Sequence, residues 1–148
     1  MSERKPRNLF SPFRAGIINI IEVVLFLNST FTIKHSKLCL NGLFVQTLTI
    51  NIISYYEILR GLKDLGNEEK LRKFEEFVQE NEFISIGKDT VIKAAEIYAY
   101  LKKQGNLIED ADILMASIAI VENLVLVTNN IKHFERIESL ATENWMED

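Results

Sequence analysis

Asp110-Ala111-Asp112-Ile113-Leu114-Met115-Ala116-Ser117, followed after a short interval by Leu124-Val125-Leu126-Val127-Thr128-Asn129-Asn130, is the stretch on which the reading of this chain turns. Its first half has the small and apolar residues of a tightly packed helix that opens on carboxylates. Its second half is a short apolar strand that closes on amides. An α/β domain gathers strand ends and helix starts on one edge of its sheet, so ionisable and amide oxygens meet there, where a hard cation finds ligands. Glu57, which follows another apolar run, joins the same set, and together these residues point to metal-dependent phosphodiester chemistry.

The 148 residues are a one-domain length, and a hydrophobic content of 47% is enough for a sizeable core. A charged fraction of 26% and only two prolines argue against long disorder. The net charge of -4 counts against nucleic acid until its distribution is considered. Residues 1–47 hold the bases Arg4, Lys5, Arg7, Arg14, Lys34 and Lys37 against the acids Glu3 and Glu22 alone, so the remainder is strongly acidic. An acidic body suits a carboxylate site that collects cations, and it equally suits helices with solvated faces. One cysteine, Cys39, excludes an internal disulfide, and with His35 and His133 it supplies too few ligands for a Cys/His zinc site. A reducing cytoplasm is the simplest home. The apolar run Ile17 to Leu27 is interrupted by Asn19 and Glu22, lacks a small-residue cleavage site after it, and falls well short of the roughly 20 apolar residues of a membrane span.

Ile17 to Leu27 and Leu48 to Ile53 have the length and the two-faced apolarity of central parallel strands. Phe31 to Val45, between them, follows neither the helical nor the strand period and contains no acid, which predicts a poorly anchored segment. From Ser54 onward the pattern is firm. Ser54 is the expected N-cap of a helix with Glu57 in its first turn and Gly61 at its end or bend. Leu71, Phe74, Phe77 and Val78 mark an amphipathic helix, Phe83 to Ile86 a short strand, and Asp89 the cap of a helix that buries Val91, Ile92, Ala95, Ile97, Tyr98 and Leu101 and stops at Gly105. Alternating strands and helices imply a parallel sheet with right-handed crossovers.

Each candidate residue has an ordinary explanation beside its functional one. Asp112 at a helix start stays ionised and suits Mg²⁺ or Mn²⁺, yet Asp is also among the commonest N-caps. Glu57 can reach across the sheet edge, or it can be a solvated glutamate serving the helix dipole. Asn129 and Asn130 can orient a metal-bound water or form a turn. His133 reads as a surface residue, because no carboxylate lies near it in sequence to orient it. Tyr55, Tyr56, Tyr98 and Tyr100, at helical spacing, read as core or rim aromatics, although bases can stack on such rings.

Three segments carry a resemblance beyond these single residues: Ile50-Asn51-Ile52-Ile53-Ser54-Tyr55-Tyr56-Glu57-Ile58-Leu59-Arg60-Gly61, then Ile108-Glu109-Asp110-Ala111-Asp112-Ile113-Leu114-Met115-Ala116, then Leu126-Val127-Thr128-Asn129-Asn130 with His133-Phe134-Glu135-Arg136-Ile137. In order and spacing, from Leu48 to Trp145, the chain resembles the PIN-domain nucleases, and within them the VapC-type toxins of prokaryotic toxin–antitoxin pairs. The resemblance implies a single α/β domain, a three-layer fold with a central parallel sheet flanked by helices. It makes Glu57 the second acid of the family's metal site, Asp112 the third, Asn130 the fourth position and Asp110 an accessory. It further implies endoribonuclease cleavage of RNA with Mg²⁺ or Mn²⁺, a cognate antitoxin that blocks the site, a homodimer, and no membrane association.

The first third departs from that pattern. The family opens with a strand ending in Asp-Thr-Asn, whose Asp is the first metal ligand, and this chain has no Asp before Asp64. Counting back from Leu27-Asn28 puts Asn19 at that position, with Glu22 the only nearby acid. A frameshift across residues 17–46 would produce the acid-free stretch, and so would divergence. The rival reading is therefore a catalytically impaired PIN domain kept as an antitoxin-binding or RNA-binding module.

Overall fold

The structure, a computed structural model, describes residues 31–40 and 43–144, with side chains for residues 49–144. Ile17 to Leu27, with Asn19 and Glu22, lies outside the described residues, as does Trp145. In chain order the elements are β1 (Phe31–Leu40), β2 (Leu43–Asn51), α1 (Ile52–Asp64), α2 (Glu68–Glu80), β3 (Glu82–Ile84), α3 (Lys88–Lys103), α4 (Asp110–Val121), β4 (Val125–Val127), α5 (Ile131–Phe134) and β5 (Thr142–Glu143). They form one five-stranded sheet in the order β3-β2-β1-β4-β5.

β2 runs parallel to β3 and β4 parallel to β5, while β1 is antiparallel to both β2 and β4. Four strands therefore share a direction, as the α/β reading predicts, and the middle one is reversed. The cause is the connection. Only Asn41-Gly42 separates β1 from β2, and parallel neighbours need a crossover of a dozen or more residues, whereas two residues join antiparallel strands. Phe31 to Val45, expected to be poorly anchored, instead supplies all of β1 and the start of β2 at the centre of the sheet. Its missing period has a structural origin, since the β1–β2 register shifts between His35 and Cys39 and an irregularity of this kind breaks the two-residue alternation.

Helices cover both faces. Successive residues of β4 point to opposite sides, so Leu126 joins a core with Leu101 of α3 and Ile113 and Met115 of α4, while Val127 joins one with Ile58 and Leu62 of α1 and Phe74 of α2. This is the expected three-layer arrangement. Full burial of a side chain such as Phe74, 2% exposed, is worth roughly 1.5–3 kcal/mol, so α2 is held by its apolar stripe rather than by its exposed ion pairs.

Local details correct several expectations. α1 is capped by Asn51, not Ser54, which lies buried inside the helix, and Glu57 falls in the second turn. Gly61 does not end α1; the helix runs to Asp64, and Gly66, with φ of 61°, supplies the left-handed residue that follows its end. β2 stops at Asn51, so Ile52 and Ile53 are already helical. Gly87 caps α3, with Asp89 inside its first turn. The buried stripe of α3 is Thr90, Ala94, Ile97 and Leu101, which leaves Val91, Ile92, Ala95 and Tyr98 exposed. With apolar residues all around this helix, periodicity could not choose the face. Among the described residues no helix is long and apolar enough to cross a membrane.

Candidate active site

The four parallel strands end on one edge of the sheet, where Asn51 stands opposite Ile84 and Val127 opposite Glu143. β1 meets that edge with its first residue, since Phe31 pairs with Val127 and Thr32 with Thr49. α1 starts immediately after Asn51, and α4, which returns the chain to the start of β4, has its N-terminus on the same edge.

Asn51 is fully buried, and its Oδ1 accepts from the Ile53 amide at 3.1 Å and the Ser54 amide at 2.9 Å. Its Nδ2 is buried without a hydrogen-bond partner among the described residues, an unusual cost for a polar group at the root of a helix. Ser54 then ties α1 to α4, its Oγ donating to Met115 Sδ at 3.7 Å. These contacts fix how α1 faces α4, and so where Glu57 sits.

Glu57 is half-buried. Burial pushes its carboxyl above the usual carboxylate range, the charge of Asp112 pushes it further, Arg60 pulls it partly back, and Glu109 adds to the rise. Glu57 and Asp112 thus lie within each other's field, brought together from positions 55 residues apart in sequence. Sequence reasoning assigned no role to Glu109, which is exposed and occupies the N-cap position of α4 without a capping hydrogen bond from its side chain.

Asp112, in the first turn of α4, makes the contact that the sequence concealed. Its Oδ2 lies 3.1 Å from His133 Nδ1, with the Asp112 side chain 18% exposed and that of His133 45%. A carboxylate only accepts, so the ring nitrogen facing it carries the proton. The reading of His133 as an unoriented surface residue is corrected: α5 begins one turn after the end of β4, and that turn delivers the imidazole to the N-terminus of α4. Asn130 precedes α5, is exposed, and its side chain makes no cap hydrogen bond. Its backbone is anchored, the amide donating to Thr128 Oγ1 at 3.0 Å and the carbonyl accepting from the His133 amide at 3.1 Å. Asp110 is exposed in the first turn of α4. The structure therefore brings together Glu57, Asp112 and His133, with Asn130 and Asp110 on the same edge.

The donor set suits a divalent cation. Burial and the charge of Asp112 both disfavour the ionised form of Glu57, a cost that a cation between the two carboxylates relieves, and Mg²⁺ is commonly held by one or two carboxylates with water and substrate phosphate completing its shell. Among the described residues no group of three or more His, Cys, Asp and Glu is placed to hold a metal ion, so the described protein ligands number fewer than a full cage requires.

A protein with helices on both faces of such a sheet and paired acids at one edge has the architecture of a PIN nuclease. The PIN domain model matches residues 18–140, and the chain belongs to this family. Ribonuclease VapC1 of Methanocaldococcus jannaschii is 40% identical over 92 residues, which span 62% of this chain and 65% of that protein. Ribonuclease VapC2 of Rickettsia felis is 37% identical over 101 residues, 68% of this chain and 75% of that one. Among solved structures, VapBC2 of Rickettsia felis bound to a DNA fragment from its promoter superposes with a TM-score of 0.61 at 36% identity, covering 67% of this chain and 75% of that one.

Proposed function

We propose that this chain is a VapC-type endoribonuclease toxin that hydrolyses RNA phosphodiester bonds with a divalent cation, Mg²⁺ or Mn²⁺, held by Glu57 and Asp112, and that a cognate antitoxin restrains it. The observation that carries this reading is the mutual field of Glu57 and Asp112 at the sheet edge, with His133 holding one oxygen of Asp112. The names of its relatives, ribonucleases and VapBC assemblies, support the substrate class and the partner.

When bound, the cation would lower the pKa of a water and offset charge that builds on the phosphate. The residues of this chain do the rest. Glu57 and Asp112 supply the anionic oxygens. His133 fixes the orientation of the Asp112 carboxylate through the hydrogen bond at 3.1 Å, as outer partners of metal ligands do. Asn130 stands ready to orient the water through its amide, and Asp110 adds negative charge at the helix start. A homodimer and a cytoplasmic location belong to the same reading, and the exposed Val91, Ile92 and Tyr98 on α3 offer apolar surface for association.

The test is incubation of purified full chain with single-stranded RNA in Mg²⁺ or Mn²⁺, with and without chelator, beside the Glu57→Gln variant. Cation-dependent cleavage that disappears in the variant is the expected result, and cleavage indifferent to both changes would refute it. The second reading, a binding module without catalysis, is favoured by one observation: among the described residues, the one that β1 places at that corner is Phe31, which is no acid. Antitoxin or RNA binding with no cleavage in either metal would establish it.

A further inference from the structure

The outer side of α1 carries a feature that the paired acids do not account for. Tyr56 is 57% exposed, and the Arg60 guanidinium lies over its ring, 5.4 Å from the centroid. Glu57, three residues before Arg60, is its neighbour on the helix surface, while Ser54, Ile58 and Leu62 are the buried residues of the helix. We propose that Tyr56 and Arg60 form a contact for single-stranded RNA at the rim of the site, Arg60 holding a phosphate next to the scissile one and Tyr56 with the guanidinium plane supporting an unstacked base. The inference rests on the ribonuclease reading above.

The chemistry favours RNA over a chance surface pair. A site built on Glu57, Asp112, Asp110 and Glu109 repels a polyanion, and a substrate approaching it needs a nearby cation beyond any bound metal. Arg60 is that cation on α1, close enough for its charge to be felt at Glu57. Arginine presents a planar fork that matches phosphate with two parallel hydrogen bonds, and bases of single-stranded RNA stack on aromatic rings and on guanidinium planes alike. Among the described residues no carboxylate forms an ion pair with the Arg60 guanidinium, in contrast with Arg72, which pairs with Glu76. Its contact with the ring face of Tyr56 leaves the edge of the guanidinium fork open to a phosphate.

The experiment measures binding of a fluorescent single-stranded RNA to the full chain carrying Asp112→Asn, by anisotropy over 50–200 mM salt, so that cleavage does not intervene. Arg60→Ala should weaken binding by about 5–10-fold and make the slope of log affinity against log salt shallower by about 0.7, the contribution of one phosphate contact on a single strand. Tyr56→Ala should weaken binding by about fivefold or more without changing the slope, and Tyr56→Phe should restore it. Arg60→Lys should keep the slope while losing part of the affinity. Because both side chains are exposed, unchanged thermal melts are expected for all four. An Arg60→Ala variant with unaltered affinity and slope would overturn the proposal, and so would one that loses only kcat in the otherwise native enzyme, which would make Arg60 a modulator of Glu57. Loss of antitoxin binding with RNA binding intact would assign the pair to the antitoxin. A native chain that neither cleaves nor binds RNA would remove the ribonuclease reading together with this one, whereas normal cleavage with an inert Arg60→Ala removes this one alone.

Discussion

α1 and α4 open on the same edge of the sheet and are started in opposite ways. α1 begins behind Asn51, whose side chain is spent on two of the helix's free amides, and its acid, Glu57, comes a turn later. α4 begins behind Glu109, whose side chain caps nothing, and its acids Asp110 and Asp112 stand in the first turn itself. In the first helix a dedicated residue satisfies the backbone and leaves the carboxylate free. In the second the amides and the dipole are left to stabilise charge on the carboxylates, and Asp112 is oriented from outside by His133. An aspartate at a helix start is thus not a cap by default; what it bonds to decides its work.

The most severe way to test this contrast is Asp112→Asn, which should keep the fold and lower RNA cleavage by on the order of 10³-fold, several kcal/mol of lost transition-state stabilisation. Cleavage rates beside circular dichroism spectra decide it, and undiminished cleavage would strip Asp112 of its role. Next in size is His133→Ala. Freed from the ring, the Asp112 carboxylate should bind Mn²⁺ about 10–100-fold more weakly, as measured by calorimetric titration, with little change in thermal stability.

The caps themselves should differ by less, and in stability rather than chemistry. Asn51→Ala should cost about 1 kcal/mol in denaturant unfolding, while Asn51→Ser keeps most of it; Glu109→Ala should stay within about 0.5 kcal/mol of the native chain. Equal losses at the two positions would erase the distinction between the helix starts.

The subtlest test concerns Glu57. Its carboxyl titrates higher in the folded chain than in the unfolded one, chiefly through burial and then through Asp112, so its neutral form favours the fold. That contribution is complete below the unfolded carboxylate range and is lost as pH rises through the folded value. Without cation, Glu57→Gln should therefore melt slightly higher than the native chain at neutral pH, and the difference should close in acid. Added Mn²⁺ should raise the native melting temperature more than that of the variant. A variant that melts lower at neutral pH would mean that Glu57 is paired rather than crowded.

Much of this was readable in the sequence, for identifiable reasons. The helix at Asp110 and the strand at Leu124 are short segments of one character, and Glu57 and Asp112 sit where strand and helix boundaries deliver them. His133 escaped because its partner is 21 residues away; the available sign was an imidazole one turn beyond a strand end, on the edge where a helix of acids begins. The β1–β2 pair escaped because an irregularity between His35 and Cys39 spoils the alternation, although Asn41-Gly42, the favoured dipeptide of two-residue hairpins, stood between two β-rich runs. The exposed side of α3 was not readable at all, since a helix apolar around its circumference carries no information about which face is covered.

The reversed strand has a consequence for solubility. β1 meets β4 only over Phe31 to Ile33, and β2 meets β3 only over Thr49 to Asn51. Beyond those residues the two strands pair only with each other among the described residues, as a two-stranded ribbon. Within it, Leu43-Phe44-Val45-Gln46-Thr47-Leu48-Thr49-Ile50 has no charge, proline or glycine, the composition that stacks readily into intermolecular sheets. Lys34 and Lys37 on the companion strand are the ribbon's only formal charges, placed as lysines often are on edges that must not recruit a neighbour. The uncharged strand beside the middle of the sheet is thus the part of the described chain whose composition most favours pairing with another copy, and the lysines of its partner strand work against it.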